Sequence, residues 1–141
     1  MIITRALVLD ANILLRAVMG RRVVGILEKY AKTAKFYSPD VCFADTSKYI
    51  PTVATLRMGL DEAMQVLEEI QKLVETVERH VYQDFEKAGR ERIFARDPDD
   101  WPVVATALFL RCPIWTEDKD FFGSGIATWT TDRVELFLSE E

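Results

Sequence analysis

R-D-P-D-D-W-P-V-V-A-T-A-L-F-L-R-C-P-I-W-T-E-D-K-D-F-F, residues 96–122, holds a cluster of carboxylates, a short apolar helix, a buried strand and a second carboxylate pair. Asp100 stands where a helix N-cap belongs, and Pro102 falls in the first turn, where a missing N–H removes no bond. A helix is predicted over Trp101 to Arg111, apolar on most sides through Val104, Ala105, Leu108 and Leu110, and therefore buried. Cys112-Pro113 should stop it, because a residue before proline avoids the α region. Ile114-Trp115-Thr116 then reads as a strand, with Asp118 just past its carboxyl end, the edge at which open α/β sheets bind ligands.

The chain begins in the same way. Ala6-Leu7-Val8-Leu9 is an uninterrupted apolar run, as expected of a strand covered on both faces, and it delivers Asp10, with Asn12 shortly after. Two strands thus end in aspartate and a third aspartate heads the helix between them, so Asp10, Asp100 and Asp118 are placed to converge at one sheet edge. Like charges at that range repel unless a proton or a cation intervenes. Hard oxygen donors without paired Cys or His favour Mg²⁺ or Mn²⁺ over zinc.

Between these ends the periodicity predicts helices over Ile13 to Met19 and Val23 to Thr33, punctuated by Gly20-Arg21-Arg22, then a strand at Lys35-Phe36-Tyr37 closed by Ser38-Pro39. Val41 to Arg57 reads as a helix carrying Asp45 and kinked or split by Pro51. Leu60 to Leu73 is amphipathic, with Leu60, Ala63, Met64, Leu67 and Ile70 inward. Val74 to Glu78 alternates as a third strand would, Tyr82 to Ala95 reads as helix, and Ile126 to Trp129 as a last edge strand. Asp132 and Glu135 have capping-box spacing before a final helix through Leu138. Strands alternating with helices predict a three-layer α/β/α sandwich around a mostly parallel sheet of about five strands, in one domain over residues 1–141.

Composition narrows the function classes. At 49% hydrophobic and 29% charged the chain is an ordinary globule, no apolar run approaches a membrane span, and no signal-peptide core precedes Arg5, so a cytoplasmic protein is expected. Cys42 and Cys112 lie in apolar surroundings outside any pairing motif and should be reduced core thiols. The net charge of −5 argues against coating nucleic acid by bulk electrostatics, though two divalent cations would add four positive charges and leave −1. Arg16, Arg21, Arg22, Lys48, Arg90, Arg92, Arg96 and Lys119 are the basic residues available to line a groove. His80, the single histidine, lies on a polar segment without a Ser or Cys partner in a motif, which speaks against serine-type hydrolysis.

Four segments, L-V-L-D-A-N-I-L (7–14), S-P-D-V-C-F-A-D (38–45), D-P-D-D-W-P-V-V-A-T-A-L (97–108) and W-T-E-D-K-D-F (115–121), together resemble the PIN-domain metal-dependent ribonucleases, in the family's order and over nearly the whole chain. The resemblance implies an endoribonuclease whose catalytic residues are Asp10, Asp45, Asp100 and Asp118, with Asp10, Asp100 and Asp118 holding Mg²⁺ or Mn²⁺. Asn12, Asp97, Thr116 and Asp120 would assist by orienting those carboxylates or a water. A glutamate usually occupies the position matched by Asp45, whose side chain is shorter by about 1.5 Å, one carbon–carbon bond. Many relatives are VapC-type toxins, dimers held inactive by a small antitoxin, so the resemblance extends to a homodimer with RNA as substrate and an antitoxin as partner. Two other readings share the acidic residues: a catalytically silent PIN-like module that binds RNA or protein without cutting, and a phosphoacceptor receiver. The receiver fits poorly, since it needs paired acids near the start where this chain has Asp10 alone.

Overall fold

The opening apolar run forms β1 (Arg5–Leu9), whose last three residues are wholly buried. The computed structural model describes residues 5–54 and 58–139. After β1 come α1 (Ala11–Met19), α2 (Arg22–Lys29), β2 (Ala34–Pro39), α3 (Asp40–Val53), α4 (Leu60–Leu73), β3 (Val74–Val77), the single turn α5 (Arg79–Tyr82), α6 (Glu86–Ile93), α7 (Trp101–Leu110), β4 (Ile114–Trp115), β5 (Thr128–Trp129) and α8 (Val134–Leu138). The five strands are parallel throughout, in the order β3-β2-β1-β4-β5. Helices α1, α3 and α4 pack on one another, while α7 lies against β1, β2 and β4 with α5 and α6 against it, giving the expected α/β/α sandwich. No helix among the described residues is long and apolar enough to cross a membrane.

This strand order makes β1 a topological switch point, with β2 paired on one side and β4 on the other. The crevice beyond the carboxyl ends of β1 and β4 is where such a sheet accepts a ligand. Leu9 pairs with Trp115 in the β1–β4 register, so the residues that follow, Asp10 and Thr116, emerge side by side. On the other flank, the buried Ser38 hydroxyl donates to the Leu9 carbonyl at 2.7 Å and ties the end of β2 to the same corner.

Several sequence expectations are corrected. The segment read as one helix from Tyr82 to Ala95 is broken by a 3₁₀ turn, Gln83–Phe85. Tertiary anchoring explains the break: Tyr82 donates its hydroxyl to Asp40 at 2.7 Å and sets its ring edge-on to Trp101, while α6 must follow α7 closely enough that a Cβ on Gly89 would lie 3.1 Å from the Trp101 carbonyl. Phe94 is 76% exposed beyond the end of α6. Leu60 is 49% exposed because it opens α4, ahead of the turns that reach the core. The Asp132/Glu135 capping box does not form: Asp132 pairs with Arg22 at 2.8 Å and Glu135 with Lys29 at 3.1 Å, joining α8 to α2 instead. The second helix ends at Lys29 and the last strand covers only Thr128–Trp129. Pro51 is carried within α3, which ends at Val53; residues 55–57, the end of the predicted helix, lie outside the described residues. Cys42 and Cys112 are free and buried, as their surroundings imply.

The loop after β4 is held from α6. Arg92 donates to the Ser124 carbonyl at 2.8 Å, and Gly125 lies beneath it at φ +84°, so close that an added Cβ would overlap the guanidinium. Gly125→Ala therefore combines an unfavourable backbone region with a clash, and is expected to cost about 1–2 kcal/mol. A thermal melt monitored by circular dichroism should show a fall of about 3–8 °C.

Candidate metal centre

Asp10 follows β1 and N-caps α1, its Oδ1 accepting from the Ile13 N–H at 3.0 Å, while its Oδ2 accepts the Thr116 hydroxyl proton across the β1–β4 junction. Thr116 also accepts from the Asp118 N–H at 2.9 Å, and Asp118 in turn accepts from the Asp120 N–H at 2.8 Å. One chain of hydrogen bonds thus runs from the end of β1 through the loop after β4 and fixes the directions of two carboxylates, Asp10 and Asp118. Thr46, next to Asp45, is buried with its hydroxyl 2.8 Å from the Cys42 carbonyl and 3.3 Å from that of Ala11, which seats α3 against the start of α1.

Asp100 arrives by another route. The N-cap expected of it is not made: a 3₁₀ turn over Pro98–Asp100 runs straight into α7, and the capping is done by Asp97, which accepts from the Asp99 N–H at 3.0 Å. With φ −82° and ψ 3°, Asp100 lacks the extended backbone a capping side chain needs, so its carboxylate stays uncommitted. Its Oδ2 is buried with no hydrogen-bond partner among the described residues. The stop of α7 also differs from expectation: Arg111 takes a left-handed conformation, φ 55°, and Cys112 N–H returns to the Ala107 carbonyl, ending the helix one residue before the predicted stop. Trp101, at the head of α7, is pinned between the Arg79 and Arg90 guanidinium groups, 5.2 and 5.1 Å from its ring centre.

These elements enclose a cleft of about 160 Å³ whose walls include Asp10, Asn12, Asp45, Asp100 and Asp118. All four acids singled out as catalytic from the sequence meet there, with Asn12 beside them. Thr116 reaches the cleft through Asp10. Carboxylate oxygens of Asp97, Asp100 and Asp120 lie within 4.8 Å of one another, so the two acids read as assistants form a second cluster around Asp100. Asp99 and Cys42 also line the cleft, and Ser38 and Thr46 brace it; none of these was singled out from the sequence. The hint available was that Ser38 and Thr46 border the acidic segments, but small hydroxyls bracing a backbone leave no spacing pattern.

Burial sets the electrostatics. Asp10 is 5% exposed, and desolvation outweighs its two hydrogen bonds to push its pKa up to about 6. For Asp100, desolvation first and then repulsion from Asp97, Asp118, Asp10 and Asp120 raise it to about 7. Both carboxyls ionise less readily than an ordinary aspartate, Asp100 the more so, unless positive charge is supplied. The donor set is hard oxygen throughout and includes one buried oxygen without a partner, which fits a divalent cation such as Mg²⁺ or Mn²⁺.

Comparison with known proteins agrees with the fold. The family model described as PIN domain matches residues 8–139. Among solved structures, VapBC2 from Rickettsia felis bound to a DNA fragment from its promoter aligns at TM-score 0.71 and 12% identity, over 89% of this chain and 98% of that one. PAE2754 from Pyrobaculum aerophilum aligns at TM-score 0.70 and 13% identity, over 98% and 91%. FitAcB from Neisseria gonorrhoeae aligns at TM-score 0.68 and 16% identity, over 89% and 97%. No curated protein matches the sequence.

The raised pKa of Asp100 has a measurable consequence in metal-free protein. A carboxyl whose folded pKa is about 7 against an ordinary 3.8 favours the folded state fully below pH 4, and that contribution is lost as pH rises through 7. Asp100→Asn, which cannot ionise, should be more stable than the parent at pH 8 by about 1–2 kcal/mol, less than the full shift implies because the group is partly open to solvent. The difference should vanish by pH 4. Denaturant titrations in EDTA at the two pH values check both the sign and its pH dependence.

Proposed function

Since this chain belongs to the PIN-domain family, we propose that it is a metal-dependent endoribonuclease, an RNA phosphodiesterase. The observation that carries this reading is the buried Oδ2 of Asp100, without a partner among the described residues, in a cleft whose walls hold four further aspartates. Such an arrangement opposes folding unless a cation completes it.

Asp10, Asp100 and Asp118 would hold Mg²⁺ or Mn²⁺, with Asp97 and Asp120 placed to share in binding through Asp100. When bound, the ion would ease deprotonation of water and offset charge gathering on the phosphate oxygens and the leaving 3′ oxygen. The rest falls to the chain. Thr116 and the Ile13 N–H hold Asp10 in one orientation, and the Asp120 N–H does the same for Asp118. Asp45, half-buried in the same cleft, would orient an attacking water or take its proton. Attack by water in line with the leaving oxygen would yield a 5′ phosphate and a 3′ hydroxyl, with no protein nucleophile required.

The similarity to a VapBC2 assembly, and to a protein solved as a toxin–antitoxin complex from Klebsiella pneumoniae, supports a toxin role. In that role the chain is a cytosolic homodimer restrained by a small antitoxin protein. Incubating a mixed-sequence RNA with Mn²⁺ and either the parent or Asp100→Asn tests the catalytic reading. The parent should cleave, and the variant should be slower by at least about a hundredfold, the scale of losing one preorganised electrostatic group; equal rates would contradict the assignment.

A further inference from the structure

A second cleft, of about 360 Å³, lies at the other end of α1 and is lined by Arg16, Arg21, Arg22, Glu117, Thr131 and Asp132 among others. Its cations are unevenly compensated. Arg22 pairs with Asp132 at 2.8 Å, whereas neither Arg16 nor Arg21 has an acidic partner among the described residues. Glu117, the other acid in the wall, is committed elsewhere, its Oε1 accepting the Thr131 N–H at 2.6 Å. Two exposed guanidinium groups therefore face an open cleft with unused donors.

This cleft adjoins the acidic one. Glu117 stands between Thr116, which holds Asp10, and Asp118, which lines the acidic wall. Helix α1 bridges them, with Asp10 at its start and Arg16 in its last turn, about 9 Å further along the axis at 1.5 Å per residue. Glycine at position 20 ends the helix there, its N–H returning to the Arg16 carbonyl at 2.9 Å, and turns the chain so that Arg21 and Arg22 join Arg16 on one rim. In a protein of net charge −5, a polyanion reaching the acidic cleft needs local cations along its path.

We propose that Arg16, Arg21 and Arg22 form a phosphate-binding rim that holds the backbone of single-stranded RNA next to the acidic cleft. This rests on the reading of that cleft as the site of RNA cleavage. Guanidinium groups suit the task because they meet phosphate oxygens with paired, planar donors. A phosphodiester chain is favoured over an acidic peptide because its neighbouring phosphate is the group the acidic cleft would take up with its cation. A peptide carboxylate passing Glu117 and Asp118 gains no such bridge.

The test measures binding apart from cleavage. Fluorescence anisotropy of a labelled, mixed-sequence single-stranded RNA is recorded in EDTA across 25–200 mM salt for the full chain, for Arg16→Gln/Arg21→Gln, and for the remote, equally charged control Lys32→Gln/Lys87→Gln. Each phosphate contact on a single strand contributes about 0.7 to the slope of log affinity against log salt. The arginine pair should therefore lower the slope by about 1.4 and weaken binding about tenfold at 50 mM salt. The control should match the parent, and Arg16→Lys/Arg21→Lys should recover part of the loss. Equal losses in the arginine and control variants, or no RNA binding by the parent, would overturn the proposal. So would an arginine-dependent affinity for an Asp/Glu-rich peptide with RNA binding unchanged. Because binding is read without metal, arginine-dependent binding by a chain that fails to cleave the same RNA when Mn²⁺ is supplied would sustain the rim while removing the nuclease reading.

Discussion

A single hydrogen bond, from the Thr116 hydroxyl to Asp10 Oδ2, joins the ends of the two strands on which the site depends. It exists because β1 and β4 are adjacent, parallel and in register through Leu9 and Trp115, so that the residues leaving each strand are neighbours. Parallel pairing sends every carboxyl end the same way, which makes that edge a natural collecting point for side chains distant in sequence. The fold uses it to gather aspartates. Thr116 then serves both as donor to Asp10 and as acceptor from the Asp118 backbone, so the orientation of one acid is coupled to that of the next.

Holding these acids together works against stability. Desolvation and mutual repulsion raise Asp10 and Asp100 into the neutral range, and one oxygen of Asp100 is buried without a partner. An unsatisfied buried acceptor costs about 1–3 kcal/mol. The surroundings carry that burden through rigid packing. Seven successive residues of α7, from Trp101 to Ala107, are buried, and Trp101 is clamped by two guanidinium groups and by the ring of Tyr82. Asp100 sits directly before this anchored segment, which fixes its backbone at the cleft. A site-bound cation would relieve the conflict, because it would neutralise the repulsion and give the orphan oxygen a partner.

Much of this was legible in the sequence where one physical signal dominated. An unbroken apolar run followed directly by aspartate identified β1 with Asp10, because burial on both faces leaves no other composition, and the apolar pair after Pro113 identified β4, with Asp118 three residues beyond it. The amphipathic pattern gave α4 at its observed bounds. What failed were features with two local solutions that only tertiary contacts separate. Asp97 and Asp100 both stand where a cap is plausible, and the 3₁₀ turn at Pro98 hands the cap to Asp97 and leaves Asp100 for the cleft. Glu135 has capping-box spacing, yet Lys29 and Tyr30, more than a hundred residues away in sequence, take its carboxylate. The helical periodicity after Tyr82 is real, but the Tyr82–Asp40 bond and the close approach of α6 to α7 require a break. In the site, the meeting of Asp97 and Asp120 around Asp100 depends on how two loops fold against each other, and sequence spacing does not report that.

A divalent cation would complete these crowded, partly desolvated aspartates. Isothermal titration of the purified protein with Mn²⁺ at pH 6.5, in two buffers of different ionisation enthalpy, tests it most directly. With Asp10 and Asp100 partly protonated at that pH, Mn²⁺ should bind and release about one proton per site, seen as a buffer-dependent heat. Absence of binding at millimolar Mn²⁺, or binding with no proton release, would contradict it.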